Sequence, residues 1–162
     1  MTLTHVTEIR VRWSECDPAG IVYFPHYFTY FELGCSDYVR SRNATWRALA
    51  ARFGVVSFPR VEAHARYRAS ARYEDVVAVH THVSHVARKV ITFEFRVYRQ
   101  ADGVLLTEGH MKLAPTNAQR RAAEISPAFA EWLLGTEPLH ESDGAQPPAP
   151  PRDAPGRQPS AP

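Results

Sequence analysis

Cysteine is scarce in this 162-residue chain, with Cys16 and Cys35 the only two. Two thiols make no disulfide framework, which predicts a reducing compartment, the cytoplasm. Long apolar runs are missing as well. No stretch reaches the ~18 consecutive apolar residues that a membrane-spanning helix needs, so no membrane partner is expected. The start, Met1 to Glu8, lacks a basic segment followed by an apolar one, and no secretory leader is read from it. Charge of one sign is not in excess either. Nineteen Lys and Arg against seventeen Asp and Glu leave a formal net charge of +2, too balanced to point to a nucleic-acid partner.

What is present is the make-up of one globular domain, 44% hydrophobic and 22% charged. Proline is unevenly spread: eight of the thirteen lie in residues 138–162, which include Gln-Pro-Pro-Ala-Pro-Pro and almost no large apolar residue. Such a segment cannot bury enough surface to offset the cost of ordering it. The expectation is a folded domain over 1–135 and a Pro-rich disordered tail over 136–162.

Within the domain, Val6, Ile9, Val11 and Trp13 with intervening polar residues predict a half-buried strand over 6–13. Residues 14–20 read as loop, by Asp17-Pro18 and Gly20. Pro25 suits the first position of a helix, where its missing N–H is no loss. From there to about Arg42, Tyr27, Tyr30, Phe31 and Tyr38 form one apolar stripe. Phe28, Cys35 and Val39 form a second on much of the opposite side, so this helix is buried around most of its circumference. Gly34 inside it implies that something packs closely there. A shorter helix covers about 45–53 and stops at Gly54. The period then drops to two: one or two strands over 55–67, broken by Pro59, then strands over 75–87, 89–99 and 104–114. Asp102-Gly103 marks a hairpin turn. A last helix covers about 127–134. Segregated helices and hairpin-linked strands make the fold class α+β.

The stretch Asp17-Pro18-Ala19-Gly20-Ile21-Val22-Tyr23-Phe24-Pro25-His26-Tyr27 carries the chemistry. It resembles the signature of the 4-hydroxybenzoyl-CoA thioesterase family. Similarity extends through Trp46, Gly54, the 73–76 segment and Arg88-Lys89, over about residues 5–134. The resemblance implies a hotdog fold, a five-stranded antiparallel sheet wrapped around a long central helix. It also implies a homodimer or homotetramer with sites at the subunit interface, and hydrolysis of an acyl-CoA without metal or organic cofactor.

The residues themselves fit acyl transfer. A thioester carbonyl gains oxyanion character in the transition state, and donors already in place there contribute several kcal/mol. The helix starting near Pro25 has orphan N–H groups and a positive dipole end. Phe24 precedes Pro25, and no Ser, Thr, Asp or Asn stands there as a cap. The Phe24 amide is therefore the expected oxyanion donor. Asp17 would act as nucleophile, forming a mixed anhydride, or as general base toward water; a turn-forming Asp-Pro is the competing account. By resemblance, Tyr23, His26, Glu32 and Trp46 line the acyl pocket, and Arg88 and Lys89 hold coenzyme A phosphate. The short-chain branch of the family carries His where Phe24 stands and usually Tyr where Trp13 stands. Their absence favours an aromatic acyl group.

Four competing assignments are weaker. Cys16 as nucleophile is opposed by its neighbour Asp17, since a carboxylate disfavours the thiolate. His80 and His82 share a strand face, but no zinc-type spacing accompanies them. A hotdog-fold hydratase or dehydratase needs a differently spaced acid and His pair, and a non-catalytic acyl-CoA-binding regulator would not need Asp17.

Overall fold

A computed structural model of the protein describes residues 3–135; the Pro-rich segment over 136–162 lies outside them. Five strands form one antiparallel sheet: β1 (Thr4–Arg10), β2 (Arg60–Tyr67), β3 (Val76–Val86), β4 (Ile91–Arg99) and β5 (Leu105–Leu113), in the spatial order β1-β3-β4-β5-β2. Three helices accompany it: α1 (His26–Arg40), α2 (Trp46–Phe53) and α3 (Pro127–Leu134). The α+β hotdog architecture read from the sequence is the one found.

Alternation explains β3 and β4. Val77, Val79, Thr81 and Val83 are buried, as are Ile91, Phe93, Phe95 and Val97, so one face of the central strands is apolar. Helix α1 lies on that face. Its Tyr27, Tyr30, Phe31, Cys35, Tyr38 and Val39 are buried, while Thr29, Leu33 and Arg40 remain exposed. Phe31 stacks on Phe95 with ring centroids 4.4 Å apart, and Tyr38 meets Phe93 edge-on at 5.6 Å. Burying each of these rings contributes about 1.5–3 kcal/mol. Gly34 allows the close approach: a β-carbon there would overlap the Thr81 hydroxyl and lie 3.1 Å from Val79 Cγ1.

The short helices carry their own punctuation. Thr45 Oγ1 accepts from the Ala48 N–H at 3.1 Å to cap α2, which ends at Gly54. Ser126 Oγ caps α3 in the same way, accepting from the Phe129 N–H, with Pro127 at the first position.

Several boundaries differ from the sequence reading; β2 begins only at Arg60, after Pro59, so 55–59 is not strand, and α1 ends at Arg40. Strand β1 stops at Arg10, and Trp13 sits in a single 3-10 turn over Trp13–Glu15 with 77% of its surface exposed. The chain leaves the sheet there because the Arg12 backbone N–H donates back to the Glu15 carboxylate at 2.8 Å, tightening it into a turn. Pro25 flanks α1 instead of opening it, with the first helical residue at His26.

Strand β2 is the least covered element. Ala65 alone in it is half-buried, and the other seven residues are exposed. Opposite β2, Gly109 on β5 has no room for a side chain. A β-carbon would overlap the His64 carbonyl oxygen and sit 3.0 Å from Phe31 Cε2. Gly109→Ala is expected to push β2 off β5 and cost about 1–3 kcal/mol, measured by urea unfolding.

Candidate active site

Residues 15–23 form a small irregular hairpin that leads into α1. The Tyr23 N–H donates to the Glu15 carbonyl at 2.8 Å, and the Asp17 N–H to the Ile21 carbonyl at 2.9 Å. Asp17 stands at the turn. Its carbonyl accepts from the Gly20 N–H at 2.9 Å, and its Oδ1 accepts from the Ala19 N–H at 2.8 Å, an Asx turn. Its Oδ2 has no donor among the described residues. One oxygen thus shapes the loop and the other is uncommitted.

The start of α1 is more selective than an uncapped helix end. The N–H groups of His26, Tyr27 and Phe28 donate to the carbonyls of Tyr23, Phe24 and Pro25 at 3.0–3.3 Å, closing tight turns. Phe24 is the exception: its N–H has no acceptor among the described residues, and the residue is 55% exposed. Its carbonyl is held, accepting from the Tyr67 hydroxyl at 3.3 Å. One main-chain donor at the positive end of a buried helix is thus open to a ligand oxygen.

Aromatic rings surround it. Phe24 packs edge-on against Tyr23 at 5.1 Å and against Tyr67 at 6.1 Å. His26 faces Tyr23 at 6.4 Å. Tyr23, Phe24 and Tyr67 all keep more than 40% of their surface exposed, and together they form an apolar, π-rich wall.

Glu32 and Trp46 belong to a second group. Glu32 Oε1 accepts from Arg60 Nη2 at 2.5 Å. Arg60 also donates to the Phe58 carbonyl and lies over the Trp46 ring at 5.7 Å. Trp46 tilts onto Phe58 at 4.7 Å and donates from Nε1 to Ser36 Oγ at 3.3 Å. Trp46, Ala50, Val56, Phe58 and Arg60 border a cleft of about 350 Å³. Arg88 and Lys89 form a third group at the tip of the β3–β4 hairpin, where the Ala87 N–H donates to the Val90 carbonyl. Arg88 is engaged, its Nη1 donating to Glu124 Oε1 at 2.6 Å in an exposed pair. Within one chain the three groups share no hydrogen bond, ion pair or ring contact among the described residues.

The competing side chains have other occupations. Cys16 is half-exposed, with its thiol 3.9 Å from the Arg12 carbonyl. His80 packs against Tyr98, and His82 Nε2 lies 3.6 Å from Glu94 Oε2. No group of three His, Cys, Asp or Glu among the described residues is arranged to hold a metal. No helix there is long and apolar enough to cross a membrane.

Glu15 is a site residue that the sequence reading passed over. It is 2% exposed, yet its carboxylate is fully used. Oε1 accepts from Arg12 Nε at 3.1 Å and Nη2 at 2.7 Å; Oε2 accepts from the Arg12 N–H at 2.8 Å and the Tyr30 hydroxyl at 2.9 Å. Burial alone would raise its pKa, but the bonds from Arg12 and Tyr30 outweigh burial and hold it below the ordinary 4.5. Burial and then the Glu15 bond push the Tyr30 hydroxyl up. The only sequence signal was an Arg three residues before an acid.

Comparison with known proteins places this fold in a family. The chain belongs to the thioesterase-like superfamily, whose family model matches residues 11–133. It is 30% identical over 95 residues to the 4-hydroxybenzoyl-CoA thioesterase of Pseudomonas sp. (strain CBS-3), covering 58% of this chain and 67% of that protein. It is 29% identical over 106 residues to the acyl-CoA thioesterase YbgC of Haemophilus influenzae, covering 65% of this chain and 76% of that protein. The crystal structure of the hypothetical protein TT1821 from Thermus thermophilus superposes with a TM-score of 0.72 at 33% identity, covering 83% of this chain and 100% of that one.

The depressed Glu15 pKa fixes a pH dependence. A folded-state value below the ordinary one gives stability that is present above about 4.5 and lost as pH falls through the folded value. The stability gap between the wild type and Glu15→Gln is therefore expected to narrow on acidification below about pH 4.5, followed by denaturant unfolding at several pH values.

Proposed function

We propose that this protein hydrolyses acyl-CoA thioesters, with an aromatic acyl group preferred, to the free acid and coenzyme A. The class of reaction rests on family membership and on the two thioesterase relatives. The observation that carries the mechanism is the Phe24 N–H, unclaimed at the start of α1 while the N–H groups of His26, Tyr27 and Phe28 are bonded. A thioester carbonyl oxygen accepting from that N–H has its developing charge stabilised by the amide and by the helix dipole.

Asp17 supplies the second half of the chemistry. As a nucleophile, a carboxylate oxygen adds to the carbonyl carbon and the C–S bond breaks. The thiolate leaves and takes up a proton. Water then cleaves the mixed anhydride to the acid and regenerates Asp17. As a general base, Asp17 takes a proton from water, which attacks the carbonyl directly. Its unpartnered Oδ2 suits either role. No cofactor or metal enters either route.

The aromatic preference is supported by the exposed rings of Tyr23, Phe24 and Tyr67 and by the absence of a His side chain at position 24. Tyr23 and His26 would contact the acyl group from the same chain. Glu32 and Trp46 would do so from a partner, because within one chain their group around Arg60 shares no hydrogen bond, ion pair or ring contact with the Phe24 group among the described residues. That assignment requires a homodimer or homotetramer. The bare strand β2, exposed on both faces at the sheet edge, supports self-association. Arg88 and Lys89 would hold the nucleotide phosphates, with phosphate displacing Glu124 from Arg88.

Asp17→Asn is expected to lower turnover about 10²- to 10⁴-fold while acyl-CoA binding persists, read by released thiol and by calorimetry. Near-normal turnover would remove Asp17 from the mechanism. Arg88→Ala should raise KM more than it lowers kcat, equally for every acyl group, and Glu124→Gln should lower KM; steady-state kinetics on aryl- and alkyl-CoA esters measures both. The same panel separates other chemistries, since a hydratase releases no thiol and a regulator binds without turnover.

A further inference from the structure

We infer that Glu15 is a positioning residue that, through Tyr30, holds the Asp17 turn and the Phe24 amide in one fixed relation to α1; this rests on the hydrolase reading above. A carboxylate buried this deeply is costly unless every lone pair is used, and here both oxygens accept two hydrogen bonds each. Its partners come from separate pieces of the chain. Arg12 follows β1, and Tyr30 lies one turn into α1, fully buried. The Glu15 carbonyl takes the Tyr23 N–H at the base of the hairpin.

The consequence for the chemistry follows from spacing. Asp17 lies two residues beyond Glu15, and Phe24 one beyond Tyr23. Slack at the Glu15–Tyr23 pair therefore reaches both the attacking carboxylate and the oxyanion donor. An apolar pair at positions 15 and 30 would fill the same volume but could slide; directional bonds to a charge cannot. A shift of about 1 Å in such a pair of groups costs on the order of 10² in rate.

The test uses two variants of the full chain. Tyr30→Phe deletes one hydroxyl and leaves the ring in place, and Glu15→Gln keeps the shape and removes the charge. Both are expected to lower kcat about 10- to 100-fold, with KM within about threefold of wild type, and to speed hydrogen exchange at the Tyr23 amide. Because Tyr30 acts through Glu15, the double variant should be no slower than Glu15→Gln alone. If Glu15→Gln does not fold, Tyr30→Phe decides alone. A kcat within about twofold of wild type, or a loss of kcat that only tracks the unfolded fraction, overturns the inference. An active wild type with unaffected variants brings down the positioning role alone. A wild type that releases no thiol from any ester brings down the hydrolase reading as well.

Discussion

The contact between α1 and the two central strands is the constraint on which the rest of the molecule depends. Phe31 lies flat on Phe95, Tyr38 meets Phe93, and Gly34 lets the helix backbone close onto Thr81 and Val79. Large rings on the helix and a missing side chain at its middle fix depth and rotation together. A helix seated this way cannot roll or slide without opening a void or overlapping Thr81, either of which costs a few kcal/mol. Its N-terminus is thereby set in space before any functional group is considered.

The site is built outward from that fixed end. The chain arrives through a hairpin whose base is joined to the helix by a buried carboxylate, and it delivers one unbonded amide and one half-used acid. The surroundings are exposed aromatic rings, not charges, so the neighbourhood favours flat, apolar groups next to a single developing negative charge. Arg88 and Lys89 stand in a separate group at the β3–β4 tip, with Arg88 paired to Glu124.

Much of this was legible in the sequence, for identifiable reasons. The alternation of Val77, Val79, Thr81 and Val83 on β3 and of Ile91, Phe93, Phe95 and Val97 on β4 was readable because those positions share one buried face. Helix α2 announced its C-terminal end through Gly54. The start of the turn at Trp13 was not legible, because Val11 and Trp13 continued the apolar alternation of β1. Glu15 escaped notice because a buried acid contradicts the rule that charge faces solvent, and only its partners reveal the exception. The pairings of Glu32 with Arg60 and of Arg88 with Glu124 join residues 28 and 36 positions apart, beyond any local pattern. The reduction of several orphan amides to one at Phe24 depended on turn geometry that spacing does not encode.

Cys35 has a bearing on laboratory practice. It is fully buried against the sheet, and burial, with Glu32 adding to it, pushes its thiol pKa well above the usual range. A group so sheltered and so reluctant to ionise stays silent toward aqueous disulfide dyes and alkylating agents. Half-exposed Cys16 is then the sole described sulfhydryl such reagents reach in the native protein. A colorimetric background above one equivalent per polypeptide would report that the interior has opened, giving each preparation a built-in gauge of its integrity.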